Sequence, residues 1–172
     1  KTDLYIVSRY SGVVMICVGL MCLFPLLIDL IYFEFNYACF IIPGVFSVIL
    51  GYICMKALDK YSNSKMRLKH GMMISSIAWM WASVIGGVVI SLATGTDFLN
   101  GIFESTSALT GTGITMFDNV EILPHSILYF RAFEQWVGGL GVVVMMIGIL
   151  TRPGTASAKL YQSEAREERL KP

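Results

Sequence analysis

The chain contains four apolar stretches, and each of them is long enough to cross a lipid bilayer. They cover residues 4–32, 37–58, 68–94 and 125–150. A membrane-spanning helix needs roughly 20 mainly apolar residues, because the hydrocarbon core is about 30 Å thick. Only 15% of all residues are charged, whereas a soluble domain usually has about 25%. The sequence therefore predicts an all-α membrane protein with four transmembrane helices.

Basic residues cluster in two of the segments that connect or follow these stretches. The two segments contain Lys60, Lys65, Arg67, Lys69, Arg152, Lys159, Arg166, Arg169 and Lys171. The link of residues 33–36 has only Glu34 as a charged residue, and the link of residues 95–124 has acidic residues without Lys or Arg. Cytoplasmic loops carry an excess of Lys and Arg. Both termini are therefore predicted to face the cytoplasm, and residues 95–124 to lie outside.

The long outer link has a substructure of its own. Thr96 or Asp97 can cap the start of a helix. A helix of 12 residues is then predicted over residues 98–109. At 1.5 Å per residue this helix is roughly 18 Å long, about half of a bilayer. The segment "TGTGIT" follows, and "MFDNVEIL" leads to the fourth stretch. The predicted shape is re-entrant: a short pore helix descends, and an extended Thr/Gly strand returns.

The Thr/Gly segment has the chemistry of a cation-selective pore loop. Irregular backbone at membrane depth is tolerated only where it is buried in protein or lines a watery cavity. Carbonyl oxygens can replace the water shell of a permeating cation, and glycine permits the unusual dihedral angles that aim them. The negative end of the short helix's dipole also favours a cation. A flexible outer loop remains the alternative, whereas the phosphate-binding motifs "GxxxxGK[ST]" and "GxGxxG" are absent.

Two charged residues are expected to meet inside the membrane region. Glu104 lies late in the short helix, and Arg131 lies about two turns into the fourth stretch. Charges in membrane segments are costly and usually paired, so a salt bridge is predicted to join the two helices. Glu134 is a competing partner, because it follows Arg131 by three residues on the same helix face. In the other alternative, each charge faces water separately.

The run "GGLG" in the fourth stretch supplies Gly138, Gly139 and Gly141. Small residues allow helices to approach closely in membranes. We expect these glycines to permit close packing, or a bend, behind the Thr/Gly segment.

The chain contains "FESTSALTGTGIT", followed by "PHSILYFRAFEQWVGGLGVVV". These two segments resemble the first pore repeat of the Trk/Ktr/HKT superfamily of potassium transporters. The form they resemble is the Trk membrane subunit (TrkH type). Such proteins resemble four fused span–pore–span repeats around one pore. The resemblance implies that residues 1–67 form an N-terminal helix pair with a cytoplasmic loop. Residues 68–150 would be the first repeat, and residues 151–172 a cytoplasmic tail or link to the next repeat.

The same resemblance assigns the selectivity filter. Its residues would be Thr110, Gly111, Thr112, Gly113 and Ile114, with potassium bound through the first four. Gly113 matches the single glycine typical of each filter repeat; members with serine there tend towards sodium, so glycine favours potassium. Gly111 departs from the pattern, since many relatives have a larger residue at this position.

The function implied by the resemblance is potassium uptake across the plasma membrane, with potassium as the transported ion and without a cofactor. The expected partners are membrane lipid, further pore repeats of the same protein and a cytosolic nucleotide-binding regulatory subunit (TrkA type), but no nucleic acid. The enzyme motifs "HExxH" and "GxSxG" are absent, so no enzyme is expected. Two alternatives stay open: an assembly protein with a docking outer loop, and a homotetrameric cation channel built of single repeats.

Overall fold

The computed structural model describes residues 2–57 and 68–150 and is helical, as predicted. Its α-helices are α1 (Thr2–Met21), α2 (Pro25–Tyr32), α3 (Tyr37–Ala57), α4 (Leu68–Thr94), α5 (Phe98–Leu109) and α6 (His125–Leu150), with a 3₁₀ turn at Val120–Ile122. The described ranges contain no β-strand. The predicted cytoplasmic loop of residues 58–67 and the predicted tail of residues 151–172 lie outside them.

Long apolar helices confirm the prediction of a membrane protein. Three sections of the described chain are long and apolar enough to cross a bilayer: Tyr5–Tyr32, Tyr37–Lys56 and Lys69–Thr94. The predicted fourth span, α6, has the expected bounds. With 26 residues it is roughly 39 Å long, enough to span the hydrocarbon core.

The first predicted span is divided into two helices. Pro25 is the first residue of α2; its ring has no N–H to donate and would collide with the preceding turn inside a continuous helix. Tighter hydrogen bonds therefore fill the break, from Leu23 N–H to the Leu20 carbonyl at 3.0 Å and from Phe24 N–H to the Met21 carbonyl at 3.3 Å. The sequence predicted one span over residues 4–32, and the structure shows a break in it over residues 22–24.

Four glycines bring α1 and α3 into backbone contact. A Cβ atom built on Gly12 would lie 2.6 Å from the Gly51 carbonyl oxygen, and one on Gly19 would lie 2.5 Å from the Gly44 carbonyl oxygen. The spacing of seven residues in both helices places each pair on one face. Such contact between small residues is the usual basis of tight helix packing in membranes. α1 and α3 therefore form a closely packed pair.

The short helix α5 lies between α4 and α6, and it has the predicted bounds. The Asp97 side chain caps its start by accepting the Leu99 N–H at 3.2 Å. Gly101 provides the closest approach to α4, because a Cβ there would lie 2.5 Å from the Gly87 carbonyl oxygen. The apolar core around α5 includes Phe40, Ile85, Val89, Ile90, Leu109, Ile127 and Phe130. This packing holds the end of α5 inside the helical bundle.

Candidate ion-selectivity filter and its supporting contacts

The Thr/Gly segment starts directly at the C-terminal end of α5. The N–H of Thr110 still donates to the Thr106 carbonyl at 2.9 Å, and the chain then leaves the helix at Gly111, whose φ is +73°. Gly113 has a φ of +72°. Glycine adopts positive φ without a steric penalty, so these two positions permit sharp changes of direction. Residues 110–114 are all exposed.

Ser107 ties the middle of this segment to α5. Its carbonyl accepts the N–H groups of Thr112 at 3.0 Å and Gly113 at 3.3 Å, and its buried hydroxyl donates to the Ile114 carbonyl at 2.6 Å. The expected extended strand is therefore an irregular segment, because two of its N–H groups turn back towards the helix. The Ile114 carbonyl therefore accepts a hydrogen bond within the protein, whereas a carbonyl that only binds an ion would have no such donor. The sequence analysis missed Ser107, although it follows Glu104 by three residues, a spacing that puts both on one helix face.

Glu104 binds the residues at the C-terminal end of the Thr/Gly segment. Its side chain is fully buried, and Oε1 accepts the Thr115 hydroxyl at 2.8 Å and the Met116 N–H. Oε2 lies 2.7 Å from Nη2 of Arg131, so the predicted contact between the two charges is confirmed. This contact lacks the angles of a hydrogen bond to Oε2 and is best described as an ion pair. Since the Arg131 side chain is only 14% exposed, the alternative of two water-facing charges is wrong.

Glu134 forms a second polar contact between α5 and α6. It is fully buried, and its Oε1 accepts the Ser105 hydroxyl at 2.6 Å. The absence of a side chain at Gly86 of α4 leaves space for the Glu134 carboxylate, because a Cβ there would lie 2.1 Å from Oε1 of Glu134. The partner of Arg131 is thus Glu104, while Glu134 is held by a residue of another helix. The sequence analysis did not identify Ser105 as that residue.

Among the three glycines of "GGLG", one is required by close packing. A Cβ on Gly138 would lie 1.9 Å from the Leu109 carbonyl oxygen, at the end of α5. A Cβ on Gly139 would have no atom within 4 Å, and one on Gly141 would have only Trp79, at 3.9 Å. Close packing behind the Thr/Gly segment is therefore confirmed at Gly138, and the other two glycines have room for a side chain.

Glu34 caps α6 from a distant part of the chain. Its carboxylate accepts the backbone N–H groups of His125 at 2.6 Å and Ser126 at 3.0 Å, together with the Ser126 hydroxyl at 2.6 Å. Nδ1 of His125 lies 2.9 Å from the same carboxylate. The first N–H groups of a helix have no partner within the helix and favour a negative charge. The sequence analysis missed this contact, and its only signal was a lone acidic residue in a short link.

The positions of these partners set the protonation behaviour of Glu34. Burial raises the pKa of this carboxyl, but the hydrogen bonds from Ser126 and His125 to the charged form outweigh burial and hold the pKa below the ordinary glutamate value. The ionised form therefore stabilises the folded state at pH values above the ordinary pKa. This contribution is lost as the pH falls through the lowered folded value.

We expect the melting temperature of the purified protein to fall as the pH decreases below about 4, in part because Glu34 becomes protonated. Glu34→Gln should lower the melting temperature at neutral pH and flatten this acid response. Glu121→Gln changes an exposed carboxylate of the link of residues 95–124 and is the matched control. Melting in detergent as a function of pH measures the effect. An acid response in Glu34→Gln as steep as that of the unmodified protein would contradict this role.

Comparison with known proteins places this geometry in a family. Residues 40–171 match the TrkH family, described as cation transport proteins. The chain is 39% identical over 173 residues to an uncharacterised cation transporter of Methanocaldococcus jannaschii, which covers 100% of this chain and 36% of that protein.

Two Trk system potassium uptake proteins are also similar to this chain. TrkH of Halomonas elongata is 30% identical, over 94% of this chain and 34% of that protein. TrkG of Escherichia coli K12 is 32% identical, over 92% of this chain and 33% of that protein. The chain spans about a third of the length of these curated relatives. Because the family match covers most of its residues, the chain belongs to the TrkH family of cation transport proteins.

Proposed function

We propose that this chain is the N-terminal part of a potassium uptake protein of the plasma membrane and contributes one of four filter repeats to its pore. One observation carries the proposal: an exposed Thr/Gly segment starts at the end of a half-membrane helix and is tied to that helix by buried polar groups. A loop that only docked a partner would not need these ties. Similarity to two Trk system potassium uptake proteins supports the choice of ion.

The arrangement suits transport of a cation rather than chemistry on a substrate. The C-terminal end of α5 carries the negative end of a helix dipole, and this end meets the segment at Thr110. The hydroxyls of Thr110 and Thr112 lie 2.8 Å apart and add uncharged oxygen atoms to the exposed backbone. We assign Thr110, Gly111, Thr112 and Gly113 as potassium ligands in this proposal. Ile114 completes the filter, with its carbonyl held by Ser107.

A single repeat supplies oxygen ligands on one side of an ion only, whereas a dehydrated cation needs them on several sides. Further pore repeats of the same protein are therefore the proposed partners of residues 68–150, and residues 1–67 form the preceding helix pair. With both termini in the cytoplasm, residues 151–172 would face a regulatory subunit of the TrkA type. This orientation rests on the distribution of Lys and Arg in the sequence.

Gly113→Ser is expected to reduce the preference for potassium over sodium. The substitution places a side chain on a filter residue with φ of +72°, a conformation that costs a non-glycine residue roughly 1–2 kcal/mol. Uptake of both ions by cells that express the full-length protein measures the preference.

Gly95→Ser is the matched control for this experiment. Gly95 has a φ of +70°, and a Cβ there has no atom within 4 Å, as at Gly113, but Gly95 lies at the end of α4, outside the proposed filter. The control should keep its ion preference. Equal loss of preference in both variants, or no loss in Gly113→Ser, would refute the filter assignment.

A further inference from the structure

A cavity of about 500 Å³ lies apart from the exposed face of the filter. One long wall follows α1 from Val13 to Met21 and continues to Phe24 in the break before α2, and the other walls come from α4, α6 and Leu109 at the end of α5. Val13 and Met21 are eight positions apart in α1, so the helical part of this wall is roughly 12 Å long, and Phe24 extends it. The volume is within the range of ligand-binding cavities, about 300–1,000 Å³. The space is therefore long enough along α1 for an extended molecule.

The walls of the cavity are apolar, and none of the residues that line it is charged. Small residues open the space: Ala78 and Ala82 on α4, and Gly141 on α6. Apolar cavities of this kind stay free of water and take up apolar molecules. A cation would meet no compensating charge here. These walls select a hydrocarbon ligand.

The opening of the cavity continues into the apolar outer surface of the helices. Val13, Leu20 and Phe24 line the cavity and are also exposed, by 42%, 49% and 52%. Beyond Phe24, this surface continues on α2 with exposed Leu27 and Leu30. All five residues belong to Tyr5–Tyr32, a section that is long and apolar enough to span a membrane.

We propose that this cavity binds one acyl chain of a membrane phospholipid. A long, flexible hydrocarbon chain matches the length of the α1 wall and the absence of charge, and the opening gives it direct access from the bilayer. The headgroup would stay outside, since the walls offer it no charged partner. The site is separate from the proposed ion pathway, but the two share Leu109, the residue that precedes Thr110.

A photoreactive lipid tests the proposal directly. Full-length protein is placed in nanodiscs of phosphatidylcholine that contain a fraction with a diazirine on the acyl chain, and adducts are located by mass spectrometry. We expect adducts on Val18 and Met21, which line the cavity but are each only 8% exposed, so lipid at the outer surface cannot reach them easily. Ile42 on α3, which is 62% exposed, reports general lipid contact.

Variants that fill the cavity complete the test. Ala82→Phe should lower the adducts on Val18 and Met21 several-fold and leave those on Ile42 unchanged. Gly141→Leu is a second filling variant at a position with free space, in case Ala82→Phe does not fold. Labelling of Ile42 without labelling of Val18 or Met21 in the unmodified protein would overturn the proposal, because another part of the protein would then cover the cavity. Adducts that neither variant reduces would overturn it as well.

Discussion

Reversing the charge of Glu104 is expected to abolish potassium uptake by the full-length protein. Glu104→Arg removes the acceptor of the Thr115 hydroxyl and the Met116 N–H, and it places two positive charges together in a buried site. Loss of one partner of a buried ion pair costs about 3–5 kcal/mol. The far end of the filter would then lose its attachment to α5. Potassium uptake, normalised to the amount of protein in the membrane, measures the loss.

The reciprocal variant Arg131→Glu should also be inactive, and the double reversal should recover part of the uptake. Recovery would be partial, because an arginine at position 104 cannot accept hydrogen bonds from the filter. Glu121→Arg, at an exposed site between α5 and α6, is the control for charge and should keep most of the activity. Losses that simply add in the double variant would show that the two charges do not act as a pair.

Gly138→Ala is the second substitution from which we expect a large loss. Its added methyl group would lie 1.9 Å from the Leu109 carbonyl oxygen, so α6 and the end of α5 would have to separate. The backbone on both sides is helical and cannot yield as a flexible side chain could. Overpacking of this kind typically costs about 1–3 kcal/mol. We expect reduced thermal stability together with loss of uptake, because the displaced carbonyl directly precedes the proposed filter.

Gly139→Ala is the matched control for this prediction. It makes the same change one residue later, where an added Cβ meets no atom within 4 Å. Because alanine is a better helix former than glycine by about 1 kcal/mol, this control should be neutral or slightly stabilising. Equal stability and uptake in the two variants would show that α5 and α6 do not pack at Gly138 as described.

Local signals in the sequence were sufficient to predict α5 and the ion pair. Asp97 provides a cap, and the apolar and polar residues that follow extend over one short helix, so the bounds of α5 could be found without knowledge of its neighbours. Glu104 and Arg131 could be paired because charges are scarce in the membrane region and unpaired ones are costly. The assignment of Thr110 to Ile114 to an ion pathway remains a proposal, since contacts within one chain do not test it.

Contacts between distant segments could not be predicted from such signals. The carboxylate of Glu34 and the N–H of His125 are separated by 91 positions in the chain, and no local pattern specifies that they meet. The spacing of Arg131 and Glu134 made Glu134 a competing partner of Arg131, but Ser105 of α5 provides the partner of Glu134. In the same way, the conformation of the Thr/Gly segment depends on Ser107, whose carbonyl competes for N–H groups that an extended strand would leave free.

The hydrogen bonds that shape the Thr/Gly segment are made within the same repeat. Ser107 and Glu104 belong to the helix that leads into the segment, and both are buried by their own chain. Ordering a flexible residue costs roughly 1–2 kcal/mol of backbone entropy. For this segment, the backbone entropy is lost when the single repeat folds. In the proposed pore, repeats that meet around an ion would then join surfaces that are already ordered, which lowers the entropic penalty of assembly.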